Sequence, residues 1–465
     1  MFESNSEDWA NSIFGDARLG DPRRTKRLVK LASDMANGAG KSIVKASGDS
    51  ASIEGAYRFV RNDNISAREI AQSGFNYTSE LAQERRLVLA IEDTTGLSYT
   101  HSICNELGNV HCSSRQTSKG RTLFQHSCLV LDADDEQVLG LAHQQSFYRK
   151  ERVRGTKYDI QRRPKEEKES YRWQQTSEEL DKTLKRTDNI LHVCDREADS
   201  FEYFEQHIES NRRFIVRSSY NRKLSFPTAR LHELREEPVI DEYDLQIMQK
   251  GGRKQRVARV GISYHKIIFP KPKKAVGGKE LKLNVVICQE LNNPNESSRL
   301  CWYLFTNETI NGKEEARKIV RYYELRWKIE EFHKVWKTDG TQVEKLRLQH
   351  RENIERMSII LAFVAVRLMQ LKEVEKESNK HQSCESFFSP VEWKIMWRKT
   401  ESKPFPKIPP TLHWAYYAIA KLGRWHDSKR TGVVGVKALW DGWATLMIMI
   451  DSYRMLKGLD LDDDL

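Results

Sequence analysis

The spacing of apolar positions changes character along the chain. Over residues 1–66 apolar side chains recur at helical intervals in short stretches. In GDPRRTKRLVKLASDMA, a turn at Gly20-Asp21-Pro22 leads into Leu28, Val29, Leu31 and Ala32, with basic residues at 23, 24, 26, 27 and 30 beside them. This predicts an amphipathic helix with a cationic flank. From residue 87 the pattern becomes that of strands. LVLAIED (87–93) is a continuous apolar run ending in two acids, as expected of a buried strand. TLFQHSCLVLD and QVLGLAH flank Ala133-Asp134-Asp135-Glu136 and predict a hairpin. Residues 149–186 are crowded with Arg and Lys and carry Gly155 and Pro164, which predicts a basic loop leading into a helix. NILHVCD (189–195) predicts a second buried strand, again tipped with an acid.

Across 214–306, the runs RFIVRSS, EYDLQIM, RVARVGISYHKIIF, LKLNVVIC and LCWYLFTN read as strands of a β-rich insertion. Long helices are predicted over about 313–337 and 353–378. A Pro-rich linker, KPFPKIPPT (403–411), precedes a last helical region over 412–457, and the acidic tail LDLDDDL is expected to fray. No internal repeat is visible.

Composition narrows the class. A chain of 465 residues is too long for one compact core, so two or three domains are expected. Lys and Arg number 77 against 66 Asp and Glu, a net charge of +11, which suits a polyanionic partner without requiring one. The seven cysteines include no Cys-x-x-Cys pair, which points to free thiols in a reducing compartment. His101, Cys104, His111 and Cys112 fit no standard zinc spacing. The N-terminus MFESNSEDWA lacks the apolar core of a secretory signal. SIILAFVAVRLMQL (358–371) is interrupted by Arg367 and too short to span a bilayer, so it reads as a buried helix. A cytoplasmic or nucleoid-associated protein is expected.

The segment YYELRWKIEEFHKVWK (322–337) mixes aromatics and charges in a way neither a surface nor a core helix requires. At about 100° per residue, Tyr323, Arg326, Glu330 and Lys337 form one narrow stripe, and Tyr322, Leu325, Ile329, Phe332 and Trp336 lie beside it. One face packs on a core while its neighbour presents an acid between two cations and a phenol. Spacing alone also admits an ordinary charged helix edge. Open α/β sheets place functional residues just past the carboxyl ends of strands. Asp93 in IEDTTGLSY and Asp195 in VCDREAD end apolar runs there, although a lone Asp at a strand end is commonly a cap or turn former. Three carboxylates gathered at one point repel unless a cation sits among them. Hard oxygen ligands favour Mg²⁺ or Mn²⁺, and two such ions suit in-line phosphoryl transfer.

EDTTGLSY, VCDREAD and the pattern Y-x-x-R-x-x-x-E-x-x-x-x-x-x-K resemble the bacterial DDE cut-and-paste insertion-sequence transposases whose signature is that Tyr-Arg-Glu-Lys set. GDPRRTKRL, EGAYRFVRN, RWKIEEFHK, NIERM and DSKRTG extend the resemblance over nearly the whole chain. It implies an α/β fold: an RNase H-like mixed-sheet catalytic core with a β-rich insertion, flanked by helical N- and C-terminal domains. The expected domains are a DNA-end recognition domain over 1–66, a catalytic domain over 67–372 with the insertion at about 214–306, and a dimerisation domain over 373–465. The resemblance carries Asp93, Asp195 and Glu330 onto the metal-binding acids, with two Mg²⁺ ions per site that Mn²⁺ can replace.

It carries Tyr323, Arg326 and Lys337 onto residues that hold the DNA backbone and a flipped base near the cut, and Trp302 onto a tryptophan that stacks on that base. By residue pattern alone a strand Trp is more often core. Arg196 and Arg217 are expected near the scissile region, with Lys334 on the same helix as the signature; Arg23, Arg24, Arg27, Lys41 and Arg58 are expected to meet transposon-end DNA. The implied chemistry is nicking, hairpin formation, hairpin opening and strand transfer into target DNA by a homodimer in a synaptic complex. In the segment that touches end DNA, Asn37-Gly38 and Ala39 depart from the family pattern, so a different end sequence is expected. The competing reading is a non-catalytic DNA-binding inhibitor of transposition. Such a protein is expected to lack the N-terminal recognition segment or one of the acids, and this chain has them all.

Overall fold

The computed structural model describes residues 5–108, 121–149, 168–247, 256–271, 279–291, 299–374, 380–428 and 434–458. The N-terminal region folds as helices α1 (Ser6–Phe14), α2 (Pro22–Asn37), α3 (Ile43–Ala46) and α4 (Ser50–Val60), followed by α5 (Ala67–Gln83). The predicted amphipathic helix is α2. It starts where Asp21 accepts a hydrogen bond from the Arg23 amide at 2.8 Å and Pro22 fills the first turn. Gly20, at φ +78°, makes the left-handed turn before it. Leu28, Leu31, Ala32 and Met35 are buried on its inner face.

The strands are β1 (Val88–Tyr99), β2 (Arg121–Asp132), β3 (Val138–Phe147), β4 (Ile190–Cys194), β5 (Arg213–Arg217), β6 (Asp241–Ile247), β7 (Arg256–Phe269), β8 (Leu281–Glu290) and β9 (Cys301–Thr306). Helices α6 (Tyr171–Thr183) and α7 (Phe201–Glu209) flank β4. Among the described residues all strands share one nine-stranded sheet, in the order β3-β2-β1-β4-β5-β9-β8-β7-β6. The β1–β2–β3 meander is antiparallel, β1–β4 and β4–β5 are parallel, and the remaining pairs are antiparallel. This is the mixed sheet of an RNase H-like core, with the predicted hairpin in place.

The insertion expected over 214–306 needs correction at its start. RFIVR is β5, which pairs with β4 inside the core sheet, so the added strands follow it. They do not form a separate layer: β9 pairs with β5 and continues the same sheet into β8, β7 and β6.

The helix predicted over 313–337 is also divided. It forms α8 (Lys313–Leu325) and α9 (Trp327–Lys334), then a π-type turn over Val335–Asp339. At the junction the Arg326 amide bonds back to the Tyr323 carbonyl at 3.1 Å, and Ile329 to Arg326 at 3.2 Å, three-residue spacings that tighten the backbone there. The helices α10 (Arg351–Glu373), α11 (Pro390–Thr400), α12 (Leu412–Leu422) and α13 (Val436–Gly458) complete the described elements.

Helix α10 runs through the middle of the molecule, and α1, α2, α5 and α13 gather around it or one another. Arg367, the charge inside its apolar run, is fully buried. Its guanidinium donates to Ser6 Oγ at 3.0 Å and lies 5.2 Å from the Trp9 ring and 6.0 Å from the Trp443 ring. The first and last helices thus meet on one arginine. The loop after α2 is pinned as well, since Trp440 Nε1 donates to the Ala39 carbonyl at 3.1 Å. Among the described residues no helix is long and apolar enough to cross a membrane. The acidic tail, residues 150–167 of the basic loop, and His111 and Cys112 lie outside the described residues.

Candidate active site

The site grows from the sheet. Strands β1 and β4 pair in parallel from Val88–Ile190 to Ile91–Val193 and no further. Beyond Ile91, β1 continues only against β2, where Asp93 faces Ser127. Asp93 therefore sits just past the parallel pairing, and Asp195 follows directly after β4. The sequence expectation that β1 ends at its two acids is corrected: the strand runs on to Tyr99, and Glu92 and Asp93 point to opposite faces.

Asp93 Oδ1 accepts the Thr94 amide at 2.8 Å. Its Oδ2 lies 3.5 Å from Arg326 Nη1 and 3.9 Å from His333 Nδ1. The same guanidinium bonds Glu330 through Nη2. Asp195 begins a short helical turn and accepts the Glu197 amide at 2.8 Å. Burial pushes the Asp93 carboxyl up to about 7; Arg326 opposes this, and the negative charges of Asp195 and Glu330 add to it. Asp195 and Glu330 thus both lie within electrostatic reach of Asp93. Burial holds the neighbouring His333 down at about 3, so it stays neutral.

Tyr323 is buried beneath Arg326, and its ring meets Trp302 edge to face at 5.2 Å. Burial raises the Tyr323 phenol despite a hydrogen bond from Arg217, which places Arg217 at the site too. Lys337 lies beyond α9, in the π-type turn. Its Nζ donates to the Gly96 carbonyl of β1 at 2.6 Å and lies 3.5 Å from Glu344. Arg196 and Lys334 are exposed. In the N-terminal region Arg23 and Lys41 are exposed, while Arg58 pairs with Glu54. Arg24 donates to the Leu19 carbonyl at 2.9 Å, and the Arg27 guanidinium fills the space above Gly55.

Sequence reasoning missed the buried face behind Asp93. Glu92 is fully buried between His192 Nδ1 at 3.0 Å and His126 Nε2 at 3.4 Å. Burial works against its charge, but hydrogen bonds from the two imidazoles prevail and hold the carboxyl at about 2. His126 Nδ1 meets Thr94 Oγ1 at 2.9 Å, and Thr94 Oγ1 accepts Arg172 Nε at 3.2 Å. The network ties β1, β2 and β4 together. A signal was present: Glu92 directly follows the apolar run LVLAI, and His126 and His192 interrupt those of TLFQHSCLVLD and NILHVCD.

The donor chemistry fits a hard divalent cation, since the acids are carboxylates and a guanidinium already serves as the cation between Asp93 and Glu330. As the side chains stand, no three His, Cys, Asp or Glu residues among the described ones close tightly enough to hold a metal. Arg326 occupies the space between two of the acids, so binding an ion requires it to yield.

Two family models match the chain: a transposase DNA-binding domain over residues 6–65 and a transposase DDE domain over residues 153–367. The second span contains Asp195 and Glu330 and begins after Asp93. Domains of this class use divalent metal ions. Among solved structures, the chain is similar to one described as a cryo-EM structure of the piggyBac transposase synaptic complex with hairpin DNA, at 10% identity over 88% of this chain and 83% of that one, with a TM-score of 0.42. The two matched domains and the RNase H-like sheet identify the chain as an enzyme of the DDE transposase family.

Proposed function

We propose that the chain is a cut-and-paste transposase of the bacterial insertion-sequence type with the Tyr-Arg-Glu-Lys signature, of the kind the Tn-five transposase represents. It nicks the transposon end, forms and opens a hairpin, and joins the freed 3′-hydroxyls to target DNA. The observation that carries this reading is the meeting of strand-borne Asp93 with Arg326 and Glu330 of the signature segment, beside Asp195. Asp93, Asp195 and Glu330 would hold two Mg²⁺ ions, with Mn²⁺ as a substitute. When bound, the ions supply an activated water or hydroxyl and stabilise the leaving oxygen of the phosphodiester.

The chain's own residues do the rest. Arg326, released from the acids, can meet a DNA phosphate through its fork of donors. Trp302, half-buried against Tyr323, offers a ring on which an extrahelical base can stack. Arg196, Arg217, Lys334 and Lys337 serve the same cleft, and Arg23, Arg24, Arg27, Lys41 and Arg58 serve end recognition. Domains at 1–66, 67–372 and 373–465 divide this work. A homodimer is supported by exposed Ile448, Met455 and Leu456 on α13, an apolar strip that a second copy would cover. The reaction takes place on the bacterial nucleoid, in the cytoplasm. Glu330→Ala should abolish Mg²⁺-dependent nicking of end DNA while end binding stays measurable; cutting at the normal rate would refute the assignment.

A further inference from the structure

We infer that Arg172 is a positioning residue that sets the separation of Asp93 and Asp195, an inference that rests on reading those acids as metal ligands. The parallel ladder between β1 and β4 stops at Ile91 and Val193, two positions before each acid. Past that point no backbone pairing holds the two carboxylates at a fixed distance. Arg172, at the start of α6 and 8% exposed, spans the gap.

Its Nε donates to Thr94 Oγ1 at 3.2 Å and its Nη2 to Glu197 Oε2 at 2.8 Å. The Thr94 amide holds Asp93 Oδ1 at 2.8 Å, and the Glu197 amide holds Asp195 Oδ1 at 2.8 Å. Each acid is thus fixed by the amide of a residue whose side chain is gripped by one guanidinium. The strut is itself anchored. Thr94 donates to His126, which is backed by buried Glu92, and the Arg172 guanidinium lies 4.8 Å from the Phe147 ring. A planar fork holds two acceptors at a set distance, which an ammonium on a flexible stem does not.

The test uses the full chain and Mn²⁺ alone, with the free-ion electron paramagnetic resonance signal as the readout. R172K keeps the charge and loses the fork. E197A removes a side chain that is 54% exposed, so it opens no core cavity. Each variant should raise the half-saturating Mn²⁺ concentration about tenfold, the usual effect of losing a group that orients a metal ligand. The Mn²⁺ concentration needed for half-maximal nicking should rise by the same factor, with kcat at saturating Mn²⁺ nearly unchanged. The double variant should match either single one, because both cut one link. Mn²⁺ titrations like the wild type, or additive losses in the double variant, overturn the strut. D195N run alongside separates the two readings. If D195N also binds Mn²⁺ normally, the carboxylate assignment has failed; if D195N alone loses binding, only the strut has.

Discussion

Arg356 offers the sharpest test of how the DNA-binding region is joined to the catalytic core. It lies on α10 with 4% exposure and serves the loop that ends the N-terminal domain. Its Nε donates to the Ile65 carbonyl at 2.5 Å, and its Nη1 to the Val60 carbonyl at 2.8 Å and to Asn353 Oδ1 at 2.9 Å. Val60 closes α4, so the guanidinium also meets the negative end of that helix. The further contact to Asp63, at 3.4 Å, adds little because that carboxylate is 93% exposed.

Arg356→Met keeps most of the side-chain volume and removes the donors. Each charge-assisted bond to a buried carbonyl is worth about 1.5–3 kcal/mol, so losing two should cost about 3–6 kcal/mol. That is a large part of a typical stability of about 5–15 kcal/mol. Chemical denaturation of the full chain should show the loss, and limited proteolysis should find earlier cleavage within residues 61–66. Arg356→Lys should recover less than half, since one ammonium cannot serve both carbonyls in that geometry. A loss below about 1 kcal/mol for Arg356→Met, with unchanged proteolysis, would refute the reasoning.

Glu92 should govern acid sensitivity. Its carboxyl sits at about 2 in the fold against an ordinary 4.5, so its stabilisation is full above about 4.5 and disappears as pH falls towards 2. The advantage of the wild type over Glu92→Gln, about 3 kcal/mol at most near neutrality, should shrink across that window; a gap that stays constant from pH 6 to 3 would count against it. Trp302→Ala should slow hairpin formation more than first-strand nicking, followed on end-labelled DNA, and equal slowing would remove the stacking role. End binding should weaken steeply with salt. Arg23→Ala combined with Lys41→Ala should flatten that dependence in a fluorescence titration, the slope falling by about 0.9 for each phosphate the protein no longer neutralises. An unaltered slope would remove those residues from the interface.

What the sequence made legible follows from the range of each interaction. The apolar runs at β1, β4 and α10 are local signals, and the fold keeps them as two central strands and a buried helix. Asp93 and Asp195 at apolar run ends and Glu330 on a helical stripe were open to pattern reading, but only the family resemblance singled them out as one set. The break at Arg326 was not legible. No turn former marks it, and the contact of Arg326 with Asp93 at the same junction joins positions far apart in the chain. The place of RFIVR in the core was equally hidden, because an apolar run does not say which neighbour it will pair with.

Arg172 shows the limit most clearly. In sequence it is one basic residue in a crowded basic stretch, indistinguishable from those around it. Its role exists only once Thr94 and Glu197 flank it, at 3.2 and 2.8 Å. Acids proposed as metal ligands can be sought in pattern because chemistry restricts their type and the sheet restricts their place. The groups that space those acids answer to neither constraint, since any donor at the right point would serve. They become visible only when the distances are known.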